Sequence, residues 1–218
     1  MLNVMNQGLV VSNLDEQRRK VLMELTEQAL SDSSSQVSLL GQKTIRFTVN
    51  SITRCNRNSL YTVFEETETN MVAVCQRLDM LKTGHILFML AEASAVRLTK
   101  ILLNERHQLK EMTEMEEESL TEVGNIIINN CLRNFIKIFH ASVSGLIPTF
   151  TRGHYAELVN ILMHDTPHGA QDIYLVKINI EIGEQIFTGF ILWLGHLCQL
   201  GDGRAKSSAG NAALDKPV

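Results

Sequence analysis

The sequence lacks the features that mark several common functional classes. Its formal net charge is −4, so no basic surplus is available to bind the phosphates of a nucleic acid. The cysteines at 55, 75, 131 and 198 have no Cys-x-x-Cys spacing, which indicates reduced thiols rather than a disulfide framework or a zinc site. No apolar run approaches the roughly 18 residues of a membrane-spanning helix. We therefore expect a cytoplasmic globular protein that binds neither nucleic acid nor membrane.

Common catalytic motifs are also missing. The chain has no glycine-rich phosphate loop, no Gly-x-Ser-x-Gly turn and no Cys/His nucleophile motif. The segment His164-Asp-Thr-Pro-His168 offers two imidazoles and a carboxylate, but Pro167 prevents a regular helical presentation, which favours a polar loop over a metal site. We expect no metal and no cofactor of the protein's own.

The periodicity of apolar residues predicts an α+β fold, with an antiparallel sheet packed against long helices. A first helix begins near Asn13 or Asp15, and the serine-rich run at 31–35 is expected to end it. Strands are predicted at residues 44–49, 60–64, 71–75, 84–90, 146–150, 172–181 and 185–194. Further helices are predicted at residues 91–104, 114–140 and 155–163. Residues 1–12 form an N-terminal extension, and residues 200–218 a disordered tail.

Two strand segments repeat the same motif. Residues 83–87 read Thr-Gly-His-Ile-Leu and residues 188–192 read Thr-Gly-Phe-Ile-Leu, at an offset of 105 residues. The alternative is a coincidence between two apolar strands. We favour a single domain over residues 13–197, built from two degenerate repeats, about 13–105 and 112–197, that pack together by a pseudo-twofold relation.

The helix predicted at 114–140 presents a polar stripe on an otherwise apolar cylinder. Glu122 and Asn125, three residues apart, are neighbours on this stripe, and Gly124 between them leaves room for a partner to approach. The acidic run at 116–118 is interpreted as a solvated helix start, favoured by the helix dipole. The simpler alternative is that the whole stripe is only the solvated face of an amphipathic helix. Its residues are Glu118, Glu122, Asn125, Asn129, Arg133 and His140.

A longer spacing carries a family resemblance. Two residues separate Glu122 from Asn125, and 22 separate Asn125 from Pro148. This resembles the signature of the CheC/CheX/FliY family of chemotaxis phosphatases, in which Asp or Ser is followed after three residues by Glu, after two by Asn and after 22 by Pro. Glu118 stands where the family has Asp or Ser. The Glu-Val-Gly-Asn-Ile core around Gly124 is also similar to that of the family.

The 105-residue offset places Gln17, Lys20 and Lys43 where a second Glu, Asn and Pro would stand. One intact motif and one degenerate copy are similar to the layout of CheX. The resemblance covers about residues 13–197, including the internal pseudo-twofold repeat.

The resemblance implies a phosphatase that hydrolyses the phospho-aspartate of a CheY-type response regulator. It assigns catalysis to Asn125, which would orient the attacking water, and to Glu122, which would pair with a lysine of the receiver. The receiver would supply Mg²⁺. Gly124, Glu118 and Pro148 would be motif or structural residues, with Pro148 marking the strand after the helix.

Two alternatives stay open. The same fold serves as a non-catalytic binding module in flagellar-switch components and as a partner of CheD-like deamidases in CheC-like proteins. Alternatively, Glu118 marks an enzyme that has lost its activity. Exposed strand edges also allow a strand-mediated homodimer.

Overall fold

A computed structural model describes residues 13–65, 70–78, 84–104, 112–139, 147–164 and 173–194. The elements are α1 (Asn13–Gly41), β1 (Ile45–Cys55), α2 (Arg57–Glu65), β2 (Asn70–Leu78), β3 (Gly84–Ala91), α3 (Glu92–Leu103), α4 (Glu114–Phe139), β4 (Thr149–His154), α5 (Tyr155–His164), β5 (Ile173–Ile182) and β6 (Gln185–Leu194). The strands form one sheet in the order β1-β5-β6-β3-β2-β4, and every neighbouring pair is antiparallel. This confirms the predicted α+β class.

The element order repeats. The first half runs α1, β1, α2, β2, β3 and the second α4, β4, α5, β5, β6, with α3 between them. The central ladder joins β3 to β6, and Leu87 lies opposite Leu192, the residue 105 positions further along the chain. When two equivalent residues of a repeat lie opposite each other, the twofold axis that relates the halves passes between them. The predicted pseudo-twofold arrangement is confirmed, and its axis crosses the sheet at this pair.

The halves exchange their first strands. β1 pairs with β5 of the second half, and β4 pairs with β2 of the first half. Each of these strands lies at one edge of the sheet.

Helices cover both faces of the sheet. One core cluster joins α1, α3 and α4 to one face, and a second cluster joins α2 and α5 to the other. Alternate residues of β2 divide between them, since Val72 and Val74 belong to the first cluster while Met71 and Ala73 belong to the second. The predicted core residues Phe190 and Trp193 are both buried.

The predicted end of α1 is wrong, because the helix continues through the serine run to Gly41. The hydroxyls of Ser33 and Ser34 donate to the carbonyls of Ala29 and Leu30, each over 2.7 Å, so they bond within the helix instead of ending it. The Ser34 hydroxyl also accepts the backbone N–H of Phe47 in β1 over 2.9 Å. Ser34 therefore attaches the helix to the edge strand.

The strand predicted at residues 60–64 is also wrong, since this segment is α2. Asn56 and Ser59 cap the helix reciprocally: the Ser59 N–H donates to Asn56 Oδ1 and the Asn56 N–H to Ser59 Oγ, each over 2.9 Å. Leu60 and Phe64, one turn apart, are fully buried against the sheet. Over five residues the alternation of apolar side chains fits a strand, but the same apolar residues also fit one buried face of a helix.

The other predicted elements are present, with shifted ends. β4 begins at Thr149 and continues to His154, later than the predicted 146–150. Residues 1–12 and 200–218, the predicted extension and tail, lie outside the described residues, as does most of the 164–168 segment. Within the described part of the chain, no helix is long and apolar enough to cross a membrane.

Candidate functional site

The N-terminus of α4 is fixed by a buried carboxylate. Glu116 Oε2 accepts the backbone N–H of Thr113 over 2.7 Å, and Thr113 Oγ1 accepts the N–H of Glu116 over 3.3 Å. This reciprocal pair is a capping box. Glu116 is fully buried, so the predicted solvated start at 116–118 is wrong for this residue. The start of the helix has a defined position rather than a frayed end.

Gly124 brings α4 into close contact with β2. A Cβ built at Gly124 would stand 2.6 Å from the Cβ of Val74 and within 2.9 Å of both its methyl groups. Glycine is therefore required by the packing of helix on sheet. The expectation that Gly124 leaves room for a partner is wrong, because this position faces the core. Its contact with β2 instead fixes the position of the helix, and with it the polar stripe on the other side of the same turn.

The polar stripe lies on that opposite side. Glu118, Glu122 and Asn129 are exposed and Asn125 is half-buried, whereas Val123, Ile127 and Ile128 are buried. The prediction of one polar stripe on an otherwise buried helix is confirmed over the described residues 114–137, and His140 lies outside them. The carboxylate of Glu122 has no hydrogen-bond or ion-pair partner in the part of the chain that the structure describes. It is available to an external cation.

Asn125 is held by a neighbour on the stripe. Asn129 Nδ2 donates to Asn125 Oδ1 over 2.7 Å. Helical side chains lean towards the N-terminus, so a side chain four residues later can reach back to its predecessor. The bond occupies one lone pair of the Asn125 carbonyl oxygen and leaves its NH₂ group for an external acceptor.

Pro148 lies half-buried directly before β4. Thr149, the first residue of β4, pairs with Cys75 of β2. Val74, which directly precedes Cys75, is the residue that α4 contacts through Gly124. The register therefore brings the start of β4, which follows Pro148, to the region where the helix approaches the sheet.

An ion pair also joins α4 to β4, three residues after the start of the strand. Arg152 Nη1 of β4 lies 3.2 Å from Glu117 Oε1 of α4. The edge strand is thus tied to the first turn of α4 as well as to β2. The roles that the resemblance assigns to Glu122, Asn125, Glu118 and Pro148 stay predictions, since geometry alone does not test them.

The first half presents a different surface. Lys20 is exposed on α1. The Lys43 ammonium donates to Oδ1 of Asn104, the residue whose backbone N–H caps the C-terminus of α3. Arg19, the position equivalent to Gly124, is exposed and forms an ion pair with Glu16 over 2.8 Å. The positions of α1 equivalent to Glu122 and Asn125 are Gln17 and Lys20, so the carboxylate–amide pair of the motif is not repeated there.

The described cysteines, Cys55, Cys75 and Cys131, are all free thiols. Burial raises the pKa of Cys131 to about 12, so this thiol is neutral at pH 7 and a poor nucleophile. No group of three or more residues suited to hold a metal ion occurs in the described ranges.

The roles of two residues of α4 were not predicted from the sequence. Asn129 lies on the predicted stripe, but nothing indicated that its amide bonds to Asn125; the four-residue spacing of two asparagines is the signal that could have suggested it. The second residue is Glu116: the segment Thr113-x-x-Glu116 before an apolar run has the form of a capping box, which is the sequence signal for its capping role.

Comparison with known proteins rests on structure. No protein-family model matches the sequence, and no curated protein matches it significantly. The structure is similar to that of Thermotoga maritima FliY, with a TM-score of 0.68 and 12% identity, over 84% of this chain and 91% of that one. The FliM middle domain of Vibrio alginolyticus gives a TM-score of 0.60 and 14% identity, over 80% and 94% of the two chains.

A third similar structure is the FliG–FliM complex of H. pylori, with a TM-score of 0.58 and 13% identity, over 82% of this chain and 93% of that one. Identities this low show the fold alone. The chain therefore has the fold of FliY and of the FliM middle domain, which is the fold expected from its resemblance to the CheC/CheX/FliY family.

Proposed function

We propose that the protein is a cytoplasmic phosphatase that accelerates hydrolysis of the phospho-aspartate of a CheY-type response regulator. The observation that carries this proposal is the placement of the exposed Glu122 beside the half-buried Asn125 on the one accessible stripe of a helix whose other faces are buried. The carboxylate and the amide lie side by side on the accessible stripe, where a docked receiver could contact both. Their spacing from Pro148, similar to that of the family signature, supports the same function.

Asn125 would act on the attacking water. An acyl phosphate on a receiver domain has its Mg²⁺ and a lysine supplied by the receiver, so the added protein needs only to orient water in line with the phosphorus and exclude bulk solvent. An amide suits this task because it donates and accepts hydrogen bonds without carrying charge. A carboxylate in its place would repel the phosphoryl oxygens.

Glu122 would fix the docking register. It is exposed one turn from Asn125 and has no partner among the described residues, so an ammonium group of the receiver could pair with it. A charge-assisted pair at an interface orients the partner and speeds encounter. The rigidity of α4, set by the Glu116 cap and the Gly124 contact, would hold both side chains at fixed separation.

The deciding experiment measures decay of a phosphorylated CheY-type receiver with and without the protein. We expect wild type to accelerate decay, Asn125→Ala to lower kcat by about 100-fold, and Glu122→Ala chiefly to raise KM. Lys20→Ala, at the equivalent position of α1, is the matched control and should match wild type. If wild type leaves the receiver's own decay rate unchanged, the phosphatase proposal is wrong.

A second candidate function is a non-catalytic binding module. The similar FliM structure from H. pylori is a complex with FliG, and another is a complex of FliM with SpeE. A protein of this fold can therefore serve as a partner in an assembly. A CheD-like deamidase, or a second copy paired through an edge strand, would be such a partner for this chain. Binding to a receiver without acceleration of its dephosphorylation would favour this function.

A further inference from the structure

We propose that Asn129 is a positioning residue that sets the orientation of the Asn125 amide. This inference rests on the proposed phosphatase function and adds a residue that the family signature does not contain. Its basis is the 2.7 Å hydrogen bond from Asn129 Nδ2 to Asn125 Oδ1. Both side chains lie on the polar stripe of α4, and Asn129 is the more exposed of the two.

The bond fixes which end of the Asn125 amide, the oxygen or the NH₂ group, faces outwards. A free asparagine side chain can rotate about its last torsion and present either its carbonyl oxygen or its NH₂ group outwards. Donation from Asn129 holds the oxygen on the side of the next helical turn. The two N–H donors of Asn125 then point away from that turn, and one lone pair of its oxygen is left. Asn125 can thus accept a hydrogen bond from the attacking water through that lone pair and donate to a phosphoryl oxygen without rotating first.

The same bond strengthens the donor. A hydrogen bond accepted by an amide oxygen polarises the amide and makes its N–H groups better donors. Orientation and polarisation both act on the transition state through Asn125, so their loss should appear in kcat. Glu122 would still define docking, so KM should change little.

Substitutions at 129 separate this role from a general contribution to the helix. Asn129→Gln keeps a donor on a longer arm and should retain about half of the wild-type kcat. Asn129→Ala removes the donor and should lower kcat about 3- to 10-fold, the loss expected for one net hydrogen bond. Asn129→Asp should be lower still, because a carboxylate would accept from the Asn125 NH₂ group and turn it away from the phosphoryl oxygens.

A matched control lies on α1. Gln28 Nε2 donates to Asp32 Oδ1 over 3.1 Å, an exposed side-chain bond with the same four-residue spacing. Gln28→Ala should shift the denaturation midpoint about as little as Asn129→Ala while leaving kcat unchanged. In the Asn125→Ala background, Asn129→Ala should have no further effect, because its target is gone.

The experiment is phospho-receiver decay at varied receiver concentration, with kcat and KM fitted for each variant. The order Gln, Ala, Asp in falling kcat at constant KM supports the proposal. If Asn125→Ala is inactive but Asn129→Ala matches wild type, or if Asn129→Ala changes only KM, Asn129 is not a positioning residue and the phosphatase function still stands. An inactive wild type overturns both.

Discussion

Gly124 of α4 lies so close to Val74 of β2 that no larger residue fits without movement of the helix or the sheet. We expect Gly124→Ala to lower the free energy of unfolding by about 1–2 kcal/mol, since the overpacking cost exceeds the gain in helix propensity. Urea denaturation monitored by circular dichroism measures the change. Phosphatase activity should fall as well, because the helix must move away from β2.

Two further variants test the cause of that loss. Val74→Ala opens the space beneath Gly124, so the double variant should lose less stability than the two single variants together. Gly153→Ala is the control, since its added Cβ would meet the flexible end of the Glu157 side chain at 3.3 Å and Leu158 Cδ2 at an ordinary 3.9 Å. It should change stability by less than about 0.5 kcal/mol. Simple additivity of the first two variants would contradict the packing argument.

The capping box of α4 makes a second prediction. Glu116→Ala should destabilise the protein by about 1 kcal/mol, because the backbone N–H of Thr113 loses its acceptor. Glu116→Gln should remain within about 0.5 kcal/mol of wild type, since glutamine keeps that acceptor and its uncharged amide is less costly to bury. Denaturant unfolding distinguishes them. Equal losses for both variants would show that the charge, rather than the cap, matters.

The proposed docking of a receiver through Glu122 predicts a dependence on salt. An ion pair with a receiver lysine is screened as ionic strength rises, so the wild-type KM should increase between about 0.05 and 0.5 M salt. Glu122→Gln should raise KM about 3- to 10-fold at low salt and flatten this dependence. Glu24→Gln removes the same charge from an exposed position on α1 and serves as control. A salt dependence that is unchanged in Glu122→Gln would exclude the pair.

Burial of Cys131 predicts a loss of stability at alkaline pH. Its pKa is raised to about 12 in the folded chain, above the usual value near 9, so the unfolded state loses the thiol proton first. The stabilisation is complete below about pH 9 and declines by about 1.4 kcal/mol per pH unit until the folded pKa is reached. In Cys131→Ala, the free energy of unfolding should fall less steeply between pH 9 and 10.5. Parallel curves for the two proteins would refute this.

The sequence predicted α4, its polar stripe and most strands, because long helices and alternating strands carry a strong periodic signal. Short-range chemistry explains the errors. The serine run does not end α1, because the hydroxyls of Ser33 and Ser34 donate to carbonyls of the preceding helical turn. Periodicity over residues 60–64 could not distinguish α2 from a strand, whereas the cap formed by Asn56 and Ser59 identifies the helix.

The site followed the same pattern. The positions of Glu122 and Asn125 on one exposed stripe follow from a spacing of three residues, and the structure agrees. The role of Gly124 did not follow, because its partner, Val74, lies 50 residues away in sequence and in another strand. Such a contact depends on the order of the strands in the sheet, which cannot be read from the periodicity of apolar residues.

The exchange of β1 and β4 between the halves makes the protein equivalent to a strand-swapped dimer whose subunits have been fused. Each half lends its outermost strand to the other half, so neither half has a complete sheet by itself. The candidate site is composite for the same reason: its helix belongs to the second half, while β2, on which that helix rests, belongs to the first. The half without the motif therefore supports the half that has it, because the strand that positions the motif helix lies in the first half.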